Sequence, residues 1–220
     1  MAVGQRSQIR DGVRAILPLA VAVPAFGLSY GVLAAAAGMG ELAPVVMSAT
    51  TFAGSAQFAA ASVLDASGGA AAAIAAAILL NARYAPMSIA VAPGFDGPAW
   101  RRLLTSQLIV DESWALSARG GGRFDVPVLI GAGLVLYPLW VGSTAVGALA
   151  GDLVGDPARL GLDAAFPALF LALLVPMVRT RQALAAALLG AAIAFALVPL
   201  TAPGVPIIAA SAACLLGLRR

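Results

Sequence analysis

Seven separate stretches of this chain are apolar over roughly the length that crosses a bilayer, and only short polar connections join them. They run Ala15–Ala37, Ala43–Leu64, Gly68–Ala92, Val126–Ala150, Asp163–Val178, Gln182–Leu200 and Gly204–Leu218, the last of them short. A membrane helix needs about 20 mostly apolar residues. The soluble alternative fails on polar surface, because only 10% of residues are charged, against about 25% in a soluble domain. With 61% hydrophobic residues, disorder is excluded as well. The expectation is an all-α, polytopic membrane helix bundle with helices broken by Pro and Gly. Residues 1–220 form one membrane domain, since no connection is long enough to hold a soluble one.

The stretch Ala99–Ala118 is different, because it carries Arg101, Arg102, Asp111 and Glu112 and cannot face lipid on all sides. It reads as a span inside the bundle, an interfacial helix or a re-entrant element, so the count is eight spans, or seven if it does not cross. Arginine placement favours eight. Arg6, Arg10 and Arg14 put the N-terminus in the cytoplasm by the positive-inside rule. Eight spans then bring nine arginines inside and leave three outside, with Arg83 within a span. Removing the crossing moves every later charge to the opposite side. Both termini are therefore expected in the cytoplasm and the loop Gly151–Leu162 outside. The first apolar run is longer than a signal-peptide core and is expected to stay as a span. Pro18 and Pro24 in the first span, with Pro167 and Pro176 in the sixth, hint weakly at an internal repeat.

Composition removes several chemistries. The chain has no His, hence no imidazole metal site, catalytic triad or imidazole proton relay. It has no Lys, and its one cysteine, Cys214, lies in an apolar run and reads as packing. No cofactor or metal is expected. The basic residues sit at span ends rather than in one patch, which argues against nucleic acid.

Polar groups inside apolar runs are the candidates for function, because a central charge costs about 2.5–3.5 kcal/mol on insertion scales and normally faces a bundle interior with a partner. Arg83 is the clearest. Asn81 precedes it and Pro86 follows, and Pro86 displaces the carbonyl of Ala82 and frees backbone acceptors nearby. Arg83 reads either as half of a structural ion pair or as a fork for a substrate carboxylate. Asp111 and Glu112 lie about 100° apart on a helix. One is expected to turn inward, to balance Arg83 or bind an ammonium, and the other to sit near headgroup level. In the second span, Gly54 and Ser55 invite a break at mid-span, and Gln57 must find partners in hydrocarbon surroundings. Asp163 opens the sixth span, where a carboxylate suits a helix N-terminus. Gly54, Ser55, Gln57, Asn81, Arg83, Asp111, Glu112 and Asp163 are the expected substrate-binding residues.

Five motifs, in order, resemble one family. They are GLSYG at Gly27–Gly31, FAGSAQF at Phe52–Phe58, NARY at Asn81–Tyr84, DESWA at Asp111–Ala115 and LDAAFPALF at Leu162–Phe170. Together they resemble the AzlC family, over about Arg10 to Arg181. The resemblance implies the large subunit of a branched-chain amino acid exporter in the bacterial inner membrane. It implies export of valine, leucine and isoleucine, with methionine as a fourth candidate. It also implies a small AzlD-type membrane partner of about four spans.

The residues alone agree with a zwitterionic substrate, which needs a cationic or N–H-rich site, an acidic or carbonyl-rich site, and an apolar wall. With no nucleotide-binding motif, any coupling falls to protons or the membrane potential. Two other classes compete: a structural subunit whose partner carries the pathway, and an intramembrane enzyme using two of Asp111, Glu112 and Asp163. The enzyme lacks any accompanying protease motif.

Overall fold

Prolines and glycines decide where the apolar runs stay continuous and where they break. The computed structural model describes residues 3–119, 123–154, 180–201 and 205–213, with positions 171, 174, 175 and 178. Among these the regular structure is helical, with one bridged pair, Ala118 and Phe124, besides.

Helix α1 (Val3–Ala20) carries Pro18 near its end, and α2 (Val23–Ala34) has Pro24 in its first turn. Pro24 cannot donate to the carbonyl four residues back, so the ladder fails at residues 21–22. The two halves meet at 60°. A π-helical turn, Ala35–Met39, extends α2 to Gly38 and Gly40, both at positive φ.

The second run divides into α3 (Leu42–Thr50) and α4 (Gly54–Asp65). The break expected at Gly54 and Ser55 falls just before them, where Phe52 takes φ of 44°. The third run holds α5 (Ala70–Asn81) and α6 (Tyr84–Val91), dislocated at residues 82–83 but continuous as a 25-residue span, Ala70–Gly94.

The stretch Ala99–Ala118 is not one helix. It holds α7 (Ala99–Ser106) and α8 (Asp111–Ser117), each too short to cross a bilayer. On α7, Trp100, Leu103 and Leu104 form one exposed apolar arc. Helical spacing places Arg101, Arg102 and Thr105 on the opposite arc.

Helix α9 (Val126–Val154) is the spine. Its buried stripe of Leu129, Ala132, Leu136, Trp140 and Thr144 recurs every three or four residues, while Leu134, Val146 and Leu149 face outward. It packs against α1, α2, α3 and α8. Asp125 accepts from Val128 N–H at its start and pairs with Arg119 at 3.2 Å. Helix α10 (Arg181–Leu197) begins with the Thr180 hydroxyl accepting from Ala183 N–H, and packs on α11 (Val205–Ala210).

Among the described residues, two helices are long and apolar enough to cross a membrane, Ala70–Gly94 and Val126–Ala150, or three if the bent pair of α1 and α2 counts as one span. The expected count of eight spans, or seven, is not confirmed by length and composition among these residues. The run Ala43–Leu64 is two half-helices, Ala99–Ala118 is two short ones, and α10 reaches only 17 residues. Most of Asp163–Val178 lies outside the described residues, as do Gly204 and residues 214–218, and with them Pro167, Pro176 and Cys214. The surface is inverted relative to a soluble protein. Val21, Leu42, Ile89, Leu103, Phe195 and Leu200 are each more than seven-tenths exposed, as a lipid-facing surface requires.

Candidate functional site

Breaking a helix in a membrane frees N–H and C=O groups that something must satisfy. Here remote side chains do so. The last carbonyls of α3 belong to Ala49 and Thr50. Gln107 Nε2 donates to both, at 3.2 and 2.8 Å, and Tyr137 Oη donates to Ala49 at 2.8 Å. Gln107 sits in the break between α7 and α8, so the two breaks are tied to each other. At that second break Ser113 Oγ accepts from Val110 N–H and donates to Leu108 C=O.

Gln57 closes the first break. Its Oε1 accepts from Ala53 N–H at 3.2 Å and from Trp140 Nε1–H at 2.9 Å. Its Nε2 donates to Ser48 Oγ at 2.7 Å, and Ser48 donates on to Thr144 Oγ1 at 2.9 Å. All five residues are buried. This chain of bonds fastens α3 and α4 to the spine. Beneath it, Tyr30 meets Phe58 edge-on at 5.6 Å and stacks on Trp140 at 6.3 Å. Replacing Gln57 by Leu leaves the Trp140 and Ala53 N–H groups without a partner and Ser48 with Thr144 alone, at about 1–3 kcal/mol for each group that finds no substitute. We expect Gln57→Leu to lower the melting temperature in detergent markedly, and wild-type thermal stability would show that the network carries no load.

Above this layer lies a cavity of about 500 Å³, within the range of small-molecule sites. Four expected site residues line it: Gly54, Ser55, Asp111 and Glu112. Its floor and sides are apolar, from Leu19, Val23 and Phe26 at the bend of α1 and α2, Phe52 at the first break, and Leu136 and Trp140 on the spine. Gly54 is glycine for space as well as for the break, because a Cβ there would lie 3.0 Å from the Trp140 ring. The first-turn N–H groups of α4, at Gly54, Ser55 and Ala56, have no carbonyl four residues back within the helix.

Arg83 stands at one wall. Its Nε and Nη2 donate to Asp111 Oδ1 and Oδ2 at 3.1 and 2.8 Å, a two-pronged pair. Nη2 also donates to Ser55 Oγ at 2.6 Å, and Nη1 to Leu80 C=O at 3.2 Å. The guanidinium lies 5.0 Å from the Tyr84 ring centre. The carbonyl it takes is one of the last of α5, which ends at Asn81. One cation thus joins α4, α5 and α8. Glu112 also lines the cavity, and among the described residues no cation lies within ion-pair reach of it.

The expected site is therefore divided. Gln57 lies a layer below the cavity with its groups engaged. Asn81 lines a separate apolar groove with Met39, Met47 and Thr51, and among the described residues its buried Oδ1 has no partner. Asp163 lies outside the described residues. Sequence reasoning passed over Tyr84, Gln107, Ser113, Tyr137 and Trp140. A signal did exist for two of them, since Tyr137, Trp140 and Thr144 repeat at helical spacing on the longest continuous span.

The family model described as AzlC protein matches residues 18–154, from Pro18 to the end of α9. The chain belongs to the AzlC family. Across the AzlC match run the bend of α1 and α2, both tied breaks and every described wall of the cavity. An "Uncharacterized membrane protein" of Archaeoglobus fulgidus is 32% identical over 204 residues, 90% of each chain. A "Branched-chain amino acid transport protein AzlC" of Bacillus subtilis is 26% identical over 182 residues, 78% of this chain and 70% of that one. No solved structure matches the chain. This AzlC-family chain is a membrane protein.

Proposed function

We propose that this chain is the large subunit of a secondary transporter that exports branched-chain amino acids across the bacterial inner membrane. The cavity carries the reading. A zwitterion's carboxylate fits the free N–H groups at Gly54 and Ser55, and its ammonium fits the Glu112 carboxylate. The apolar wall of Leu19, Val23, Phe26, Leu136 and Trp140 suits a branched side chain, with a methylene more or less worth about 1–3 kcal/mol of discrimination. Valine, leucine and isoleucine fall within that tolerance, and methionine extends it. The transport protein of Bacillus subtilis supports the same substrate class. Asp111 is bound to Arg83, so it is not free to share a proton with a second carboxylate as a protease dyad would require.

The arginine distribution supports cytoplasmic termini, an external loop at Gly151–Leu162 and eight crossings, counting re-entrant or broken elements. A small AzlD-type partner completes the complex in this reading. Two observations support it: among its described residues α10 has none buried, and Asn81 lines an apolar groove flanked by exposed Ile74 and Ile78. Close helix packing in lipid favours small residues, which α5 and α10 supply.

The test is valine efflux from proteoliposomes holding the full chain alone, or the chain purified with the small membrane protein encoded beside it. We expect rapid efflux from the pair and little from the chain alone. Equal rates would overturn the two-subunit reading. No valine efflux from either would overturn the substrate.

A further inference from the structure

Three charged side chains meet at the cavity wall, and they do not balance. Arg83 and Asp111 cancel through their two-pronged contact. Glu112 then leaves one negative charge in excess whenever it is ionised. Among the described residues, the other groups facing it do not compensate. Tyr84 on α6 and Ser55 on α4 present hydroxyls, and Ser55 is already an acceptor for Arg83. Helices α1, α2 and α9 face it with apolar side chains and the Trp140 indole. A half-buried carboxylate in an apolar cavity without a cation is costly, so the empty cavity is neutral only with a proton on Glu112.

We propose that Glu112 is the coupling residue, where a proton and the substrate ammonium compete for one carboxylate. This rests on the transport reading above. A protonated Glu112 is neutral and cannot hold the ammonium as an ion pair, while an ammonium seated on it needs the ionised form. The two occupants exclude each other. On the cytoplasmic side the zwitterion enters and the proton leaves Glu112 for water. On the outer side a proton from water binds Glu112 and the amino acid departs. One proton enters for each amino acid exported, and no covalent bond other than O–H is made or broken.

The charge arithmetic fixes the direction. The amino acid adds no net charge, so the substrate-loaded cavity carries one negative charge and the proton-loaded cavity carries none. An inside-negative membrane potential drives the loaded form outward, and an inward proton gradient clears it. Both components of the proton-motive force therefore favour export.

The experiment uses full-length protein, with any small subunit that co-purifies, in weakly buffered detergent solution with a pH-indicator dye. L-valine binding is followed in the same sample. We expect wild-type protein to release about one proton per valine bound, and its affinity to fall about tenfold for each pH unit on the acid side. Glu112→Gln should bind valine more weakly, with no proton release and no pH dependence, and Glu112→Asp should restore both. Valine-driven proton release that survives in Glu112→Gln would overturn the assignment, as would wild-type binding with no release. If Glu112→Gln elutes as aggregate, the wild-type pH profile decides, and a pH-independent affinity overturns the proposal. No valine binding by wild-type protein would overturn the substrate reading and the coupling with it.

Discussion

Replacing Arg83 by Gln should cut valine efflux about 100-fold or more, the scale of loss when a binding constellation is misplaced by about 1 Å. The reason is geometric. Arg83 holds Asp111, Ser55 and the Leu80 carbonyl at once, so removing its fork releases α4, α5 and α8 from one another at the cavity wall. It also leaves Asp111 without a cation. Breaking a fully buried pair costs roughly 3–5 kcal/mol, and less applies here because the two side chains are 27% and 30% exposed. Arg83→Lys keeps the charge but loses the planar fork. It should insert normally and retain a small fraction of the efflux. The double variant Arg83→Gln with Asp111→Asn separates stability from transport, since it removes the orphaned charge and should recover the melting temperature without recovering efflux. Wild-type efflux in both single variants would reduce Arg83 to a packing element.

That ion pair shows what a linear reading reaches and what it misses. A charge within an apolar run must have a partner, which is enough to single out Arg83, Asp111 and Glu112. Nothing local relates residue 83 to residue 111, so the choice between them as partners needs the fold. The same holds for Gln57. Its amide had to be satisfied, and a ligand was one way to do it, but Trp140, Ser48 and the Ala53 N–H take its groups instead. The bend after Pro18 and the break before Gly54 are local effects of backbone chemistry and were legible. The tie between the two breaks was not, because it runs from Gln107 to carbonyls 57 and 58 residues away. The place where the second run divides was hidden for a related reason. Hydropathy over Ala43–Leu64 is continuous, while one residue, Phe52 at a φ of 44°, divides it into two helices.

The second large effect is expected at Gly31, with a control of opposite sign on the same interface partner. Helix α2 crosses α9 so closely that a Cβ on Gly31 would overlap the Thr144 carbonyl and lie 2.5 Å from Ala148 N. From the other side, a Cβ on Gly147 would overlap the Leu28 carbonyl. Backbone faces backbone in both directions, so no side-chain rotation can make room. Forcing even one methyl into such a contact costs about 1–3 kcal/mol, and Gly31→Val should exceed that. Gly142, also on α9, has nothing within 4 Å of where its Cβ would be. There Gly142→Ala removes only backbone freedom and should stabilise the helix by roughly 0.5–1 kcal/mol. Thermal unfolding in mild detergent should therefore show Tm falling for Gly31→Ala, falling further for Gly31→Val, and rising slightly for Gly142→Ala. The same separation of α2 from α9 moves Val23 and Phe26 away from Leu136 and Trp140, which are opposite walls of the cavity. Efflux should fall with stability in the Gly31 series and stay unchanged in Gly142→Ala. A Gly31→Val protein that melts and transports like wild type would mean that the close crossing of α2 and α9 does not set the shape of the cavity.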